Sequence, residues 1–465
     1  MGGDGPRVRV LGGALAGFFR AFGFAYDGVR ALQAAMGAAT ALLVWALARR
    51  HVSAGAALAG GVVAALYQPL VFYEATLLRE PLATFLTAGA LLAVSDAGAA
   101  PRRGRALAAA AVAGALLGLA IGTRSHLVLP AAALGVWLLL VTRGRFGLAP
   151  AACLAAAAAL PVAPVVALNV ARSGTLAFVS SAGPYNLFIG NVHDGVGGPS
   201  PRYLEVKAQG PPESVDLLAA LREDIARHPR AFVRRQAAKT AALLGTGEAP
   251  DNLSLAMGRQ LDDGLRLAAV TDALLMPLAL LGAALGVTSW RRHAVLYAFV
   301  LAYAASVVPF IVVSRLRQPL LPALAVLAVI PLQRAYEWAA SGHRAHAAGL
   351  TAGALLLALA LRPDPIPHRP SDFLMAAAAY ARLGEIHEAN GDAEGAWRAY
   401  GRAAALNPDH MDAVSGALRA RSAAGVPAPD TRAVELCAEA RAEATARRYD
   451  EALRLLDEAA ERAPR

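Results

Sequence analysis

Ten apolar runs, separated by short polar or arginine-bearing connections, limit what this chain can fold into. They fall near residues 31–47, 54–72, 81–94, 107–121, 127–141, 148–170, 265–287, 295–313, 320–332 and 347–361. A backbone in lipid must satisfy its own hydrogen bonds, so only helices and closed barrels cross a membrane. Spans of about 20 residues are the expectation, and several of these runs are shorter or broken by Pro and Gly. The expected fold is therefore all-α: a polytopic helical membrane domain of about ten spans. Composition agrees, with 57% hydrophobic and 17% charged residues and a mean hydropathy of +0.45, outside the range of ordinary soluble domains.

The net charge of +10 comes from scattered arginines, with Lys207 and Lys239 as the only lysines. Such scatter suits loop topogenesis in a high-GC genome and gives no basic stripe, so no nucleic-acid partner is expected. Cys153 lies in an apolar run and Cys437 near the end, so no disulfide is expected. The first ~20 residues lack the order of a secretory signal. Residues 1–30, rich in glycine and weakly apolar, read as an interfacial segment.

Arginine placement orients the runs. Arg49/Arg50, Arg102/Arg103/Arg105, Arg143/Arg145, Arg291/Arg292 and Arg334/Arg344 fall on one side if every run crosses. Cationic loops mark the cytoplasmic side. The outer side then receives Arg79-Glu80, Arg124, the polar loop 172–263, Arg315/Arg317 and both chain ends. The expected location is a bacterial inner membrane, multi-pass, with the C-terminal tail on the outer, periplasmic side. Arg315 and Arg317 are thus not ordinary cytoplasmic helix caps. Arginine in hydrocarbon costs at least ~2.5 kcal/mol, so an embedded pair needs a cavity, a water boundary or an anion. Guanidinium suits phosphate, whose oxygens it grips two at a time.

The outer loop holds an amphipathic stretch, Val215–Leu244, expected to be helical, to lie on the membrane face and to break near Pro229. Beyond residue 362 the composition turns soluble. A proline-rich linker spans 363–370, and residues 371–465 are charged and alanine-rich. Tyr380, Leu383, Gly384, Ala396, Tyr400, Ala403 and Pro408 fit the tetratricopeptide pattern in phase, with a second match at Ala452, Leu456, Ala459 and Pro464. A small soluble domain of helical-hairpin repeats is expected, able to recruit a protein partner. The membrane domain proper then covers residues 31–362.

Several motifs occur in an order that resembles bacterial membrane glycosyltransferases of the C superfamily, near the protein O-mannosyltransferase (family 39) branch. They are Tyr67-Gln68-Pro69 with Leu77-Leu78-Arg79-Glu80-Pro81, and Gly118-Leu119-Ala120 with Thr123-Arg124. Asn169, Arg172, Gly174, Gly183, Asn186, Leu187, Gly190 and Asn191 follow, then Lys239 with Glu248 and Asn252, and last Ser314-Arg315-Leu316-Arg317-Gln318-Pro319 with Pro322. The resemblance spans roughly residues 10–335. It implies a polyprenyl-phosphate-linked sugar as donor substrate, drawn from membrane lipid, and a protein, lipid or glycan hydroxyl as acceptor. No separate cofactor and no metal are expected. Arg315, Arg317, Lys239 and Arg124 are the expected ligands of the donor phosphate. Asn169, Arg172, Asn186, Asn191, Glu248 and Asn252 form the expected outer-loop motif. The family's acidic pair lies in its first outer loop, and residues 15–34 resemble the sequence after that loop. The expectation is a start further upstream or an inactive relative, with Glu80 as the remaining candidate acid. The alternative expectation is a non-catalytic membrane scaffold that recruits partners through its repeat tail.

Overall fold

The computed structural model describes residues 26–76, 78–173, 183–193, 216–249, 263–361, 370–407 and 410–425, with isolated positions between and beyond them. Two units emerge: residues 1–249 with 264–364, and residues 250–263 with 365–465. In the first unit the helices are α1 (Tyr26–Ala48), α2 (Ala54–Ala65), α3 (Gln68–Ala75), α4 (Glu80–Ala99), α5 (Arg103–Thr123), α6 (Val128–Phe146) and α7 (Ala149–Ser173). Then come α8 (Gly183–Ile189), α9 (Leu217–Arg227), α10 (Pro229–Leu244), α11 (Asp272–Gly286), α12 (Trp290–Val307), α13 (Leu321–Ala340) and α14 (Arg344–Ala360). Among the described residues one isolated β-bridge occurs, between Tyr67 and Val270, and the rest of the regular structure is helical.

Seven stretches are long and apolar enough to cross a membrane: 28–48, 80–99, 103–123, 125–146, 149–171, 272–307 and 314–340. α2 and α14 are shorter apolar helices. The run near 54–72 is broken because Tyr67 pairs with Val270, the Gln68 amide donating to Val270 O at 2.8 Å, before Pro69 restarts the helix as α3. The same bridge delays α11: a helix expected from residue 265 begins at Asp272. Between α11 and α12 the chain reverses through a 3-10 turn, Val287–Ser289, and the Tyr297 hydroxyl donates to Ala283 O at 2.8 Å across the bend.

Contacts between long helices rely on small residues. Gly114 and Gly118 lie one turn apart on α5, against the carbonyls of Leu154 and Ala158 on α7, where a Cβ would collide with backbone. Such close approach replaces the hydrophobic drive that lipid removes. α13 is the central helix: from Leu321 to Pro331 every residue is buried, with α2 and α11 packed against it. A helix apolar all round belongs in the middle of a bundle.

The second unit contains α15 (Pro370–Ala389), α16 (Ala393–Leu406) and α17 (Met411–Ala423). Gly391, at φ 77°, makes the turn between α15 and α16, and Asp392 caps α16 by accepting from the Gly395 amide at 2.9 Å. Tyr400 is wedged between Gly384 and Gly416, over Ala396 and Ala403, and its hydroxyl donates to Glu388 at 2.8 Å. Pro408 and Cys437 lie outside the described residues, as do Ala452, Leu456, Ala459 and Pro464.

Candidate functional site

The site forms where transmembrane helices end and irregular backbone begins. Glu80 occupies the first turn of α4, just before Pro81, and its side chain is 2% exposed. It pairs with Arg124, the residue that ends α5, and lies 3.8 Å from Arg315 on the 3-10 helix Ser314–Leu320. Arg79 donates to Thr123 O at 3.2 Å and holds the start of α4 to the end of α5. A carboxylate this buried requires partners, and here two guanidiniums come from two other elements. The side chains of Arg124 and Arg315 are 11% and 22% exposed, against 2% for Glu80.

A tyrosine bridge fixes the two arginine segments relative to each other. The Tyr303 hydroxyl, on α12, donates to Leu316 O at 2.6 Å and lies 3.0 Å from His126 Nε2. A hydroxyl has one proton; once it is given to Leu316 O, His126 must donate, which sets its Nε2–H tautomer. His126 follows Arg124 by two residues and Leu316 follows Arg315 by one.

Arg317 is placed differently from Arg315. It is buried, one terminal nitrogen bonding Asp272 at 2.9 Å and the other bonding Ala242 O. Asp272 in turn accepts from the Tyr67 hydroxyl at 2.5 Å. Both terminal nitrogens are thus engaged by protein, and in this geometry Arg317 locks α10, α11 and the Tyr67 break together. Ser314 adds a second tie, its hydroxyl accepting from the Ala249 amide at 2.7 Å.

Lys239, on α10, donates to Asn191 Oδ1 at 2.8 Å and Phe310 O at 2.9 Å. Asn191 is buried and also accepts from Gln236, while its own amide donates to Leu187 O at 2.6 Å and Pro309 O at 2.7 Å. Gly190 permits this: its backbone lies against Phe310 O, where a Cβ would overlap. Burial and the nearby Arg235 charge lower the Lys239 pKa to about 7. Of the other outer-loop residues expected from sequence, Asn169 is buried on α7, while Asn186 and Glu248 are half-buried. The Arg172 side chain and Asn252 lie outside the described residues.

Sequence reasoning missed Asp272, Tyr303, His126 and Glu74. Asp272 could have been found as a single acid opening an apolar run. Tyr303 and His126 carry no local signal. Glu74 ends α3, its carboxylate packed on the backbone of Gly37 in α1, where any Cβ would clash with it. Burial raises its pKa to about 8. α3 packs against α4 and against the 3-10 helix that carries Arg315. The site thus joins a buried carboxylate to two guanidiniums, with Glu74 on a helix packed against the elements that carry Glu80 and Arg315.

Residues 11–168 match the family model of dolichyl-phosphate-mannose-protein mannosyltransferases, 158 of the chain's 465 residues. No curated protein and no solved structure matches the chain. Over the matched region the chain is similar to membrane mannosyltransferases. That match and the seven apolar stretches describe an integral membrane protein. The matched region includes Glu80 and Arg124 and ends before Lys239 and Arg315.

Proposed function

We propose that the chain is a membrane glycosyltransferase that takes a sugar from a polyprenyl-phosphate carrier at the outer face and passes it to a hydroxyl of a protein, lipid or glycan. The observation that carries this reading is the cluster of Glu80, Arg124 and Arg315, which brings two guanidiniums together at the end of membrane-spanning helices. A lipid phosphate entering from the bilayer edge meets guanidiniums at that depth. As the sugar leaves, charge builds on the phosphate, and fixed cations stabilise it more in the transition state than before.

In this reading Arg315 and Arg124 hold the phosphate, and Lys239 contributes a weaker point charge. Arg317 acts through Asp272, holding the 3-10 helix in place. Glu80 orients the two arginines. Paired with both, it is poorly suited to accept a proton, and we assign that step to Glu74, on the helix packed against both α4 and the 3-10 helix that carries Arg315. Acceptor hydroxyl, carrier and Glu74 then account for the transfer: the hydroxyl oxygen bonds the anomeric carbon, the carbon–phosphate oxygen bond breaks, and the proton goes to Glu74.

Binding and turnover separate these roles. Arg315→Ala is expected to weaken binding of a polyprenyl-phosphate sugar about tenfold or more, since a charge-assisted bond contributes ~1.5–3 kcal/mol. Arg315→Lys should recover part, keeping the charge but losing the fork. Glu74→Gln should retain donor binding and lose sugar transfer. Unchanged donor affinity in folded Arg315→Ala sinks the donor site; full transfer activity in Glu74→Gln sinks the assigned base.

A further inference from the structure

A second cluster lies in the outer loop, apart from the arginines. His193 follows α8 in the loop that contains Asn191; Asp224 is on α9, and His228 ends it. Asp224 and His228 are four residues apart, so a helical turn brings them to one face. The ligand atoms of His193, Asp224 and His228 all lie within 4.8 Å of one another. The two imidazoles face each other with ring centroids 4.2 Å apart and their planes inclined by 33°. Asp224 is buried, while both histidines are exposed.

We propose that His193, Asp224 and His228 bind a divalent transition-metal ion of the zinc class. Two imidazoles and one carboxylate are a donor set of that class, and three protein ligands leave the fourth position open to water. The oxygen-rich sites of magnesium and calcium look different. Some rearrangement is needed. His193 Nδ1 and Asp224 Oδ1 are 2.6 Å apart, whereas ligands ~2.0–2.1 Å from one metal ion stand farther apart than that. His193 must move slightly away from Asp224, within reach of an exposed side chain on a loop. Its backbone stays fixed, because its amide donates to Asp224 Oδ2 at 2.7 Å and its carbonyl accepts from Arg235 at 2.6 Å.

The neighbouring charges oppose and permit the ion in turn. Arg202 lies 3.9 Å from Asp224 Oδ1 and disfavours a second cation. Arg202 is closer to Glu205, at 3.2 Å, and to Glu223, at 3.5 Å, which also holds Arg227. The bound ion would pin the His193 loop to α9. Asn191, two residues earlier, receives Lys239 and Gln236, so the ion would stiffen that shelf without touching the arginine cluster.

The test uses the full-length, tag-free protein in detergent, stripped with a chelator and titrated with zinc against a competing indicator. The same protein is then titrated with cobalt(II), whose visible absorption reports nitrogen and oxygen ligands in tetrahedral geometry. One equivalent of zinc should bind, with the cobalt spectrum appearing at the same stoichiometry. His228→Ala removes an exposed ring and leaves the Asp224–His193 tie intact; it should weaken zinc binding at least tenfold and abolish the cobalt band. His387→Ala, at a histidine–aspartate pair in the other unit, should change neither. Parental affinity and stoichiometry in His228→Ala overturn the site. So does failure of the unaltered protein to take up zinc or cobalt, or uptake of magnesium or calcium in preference to them.

Discussion

Glu80 meets cations that arrive from distant parts of the chain: Arg124 is 44 residues away and Arg315 is 235. Breaking a buried ion pair from one side leaves charge without compensation, at about 3–5 kcal/mol. Glu80→Gln should therefore lower the thermal midpoint in detergent strongly, and Asp272→Asn should do the same through Arg317. If either variant melts with the parent protein, its carboxylate is not the counter-charge described. Lys239 gives a pH prediction of its own. Its folded pKa of about 7 lies below the ordinary lysine value of 10.5, so above pH 7 the folded protein binds fewer protons here than the unfolded chain. Stability from this group thus rises with pH between about 7 and 10.5. A carrier phosphate favours the charged amine, so donor affinity should fall as pH rises above about 7, and Lys239→Met should flatten that slope. An equal slope in Lys239→Met would show that another group is titrating.

At the level of elements, the α5–α7 contact depends on two glycines one turn apart. Gly118→Val pushes a branched side chain into the Ala158 carbonyl and Pro161. Overpacking a tight contact costs ~1–3 kcal/mol or more, and here the collision is with backbone. Gly104→Val, at the exposed start of α5 with open space around it, should have little effect beyond helix propensity; equal losses in the two variants would mean that close packing is not the cause. Much of the helical layout was legible, because apolar runs in lipid have few alternatives. The break at Pro229 was equally legible: the helix ends at His228 and Pro229 takes the first position of α10, where its missing N–H costs nothing. The later start of α11 was not, since the Tyr67–Val270 bridge joins residues 203 apart. Nor could the sequence distinguish Arg315 from Arg317. Two residues apart on a 3-10 helix, one faces a buried aspartate and the other an accessible edge, a difference set by α10 and α11 rather than by the motif itself.

For the whole molecule, the arginine-bearing connections predict that residue 200 and residue 362 lie on the same, outer side. Reporters active only outside the cytoplasm, fused at each point, should both signal; a silent fusion at either position rejects that topology and the outer-face site with it. Residues 371–465 expressed alone are expected to be soluble and helical by circular dichroism, with marginal stability, since few repeats bury little core. An insoluble or strand-rich product would reject the repeat assignment. The order of synthesis separates the two buried acids from part of their counter-charge. Glu80 and Asp272 leave the ribosome before residues 314–317, which carry Arg315 and Arg317. Until that segment arrives, Asp272 has no guanidinium beside it and Glu80 has only Arg124 of the pair. A chain ending before residue 314 would therefore lack the guanidinium that meets Asp272, while Glu80 would keep Arg124.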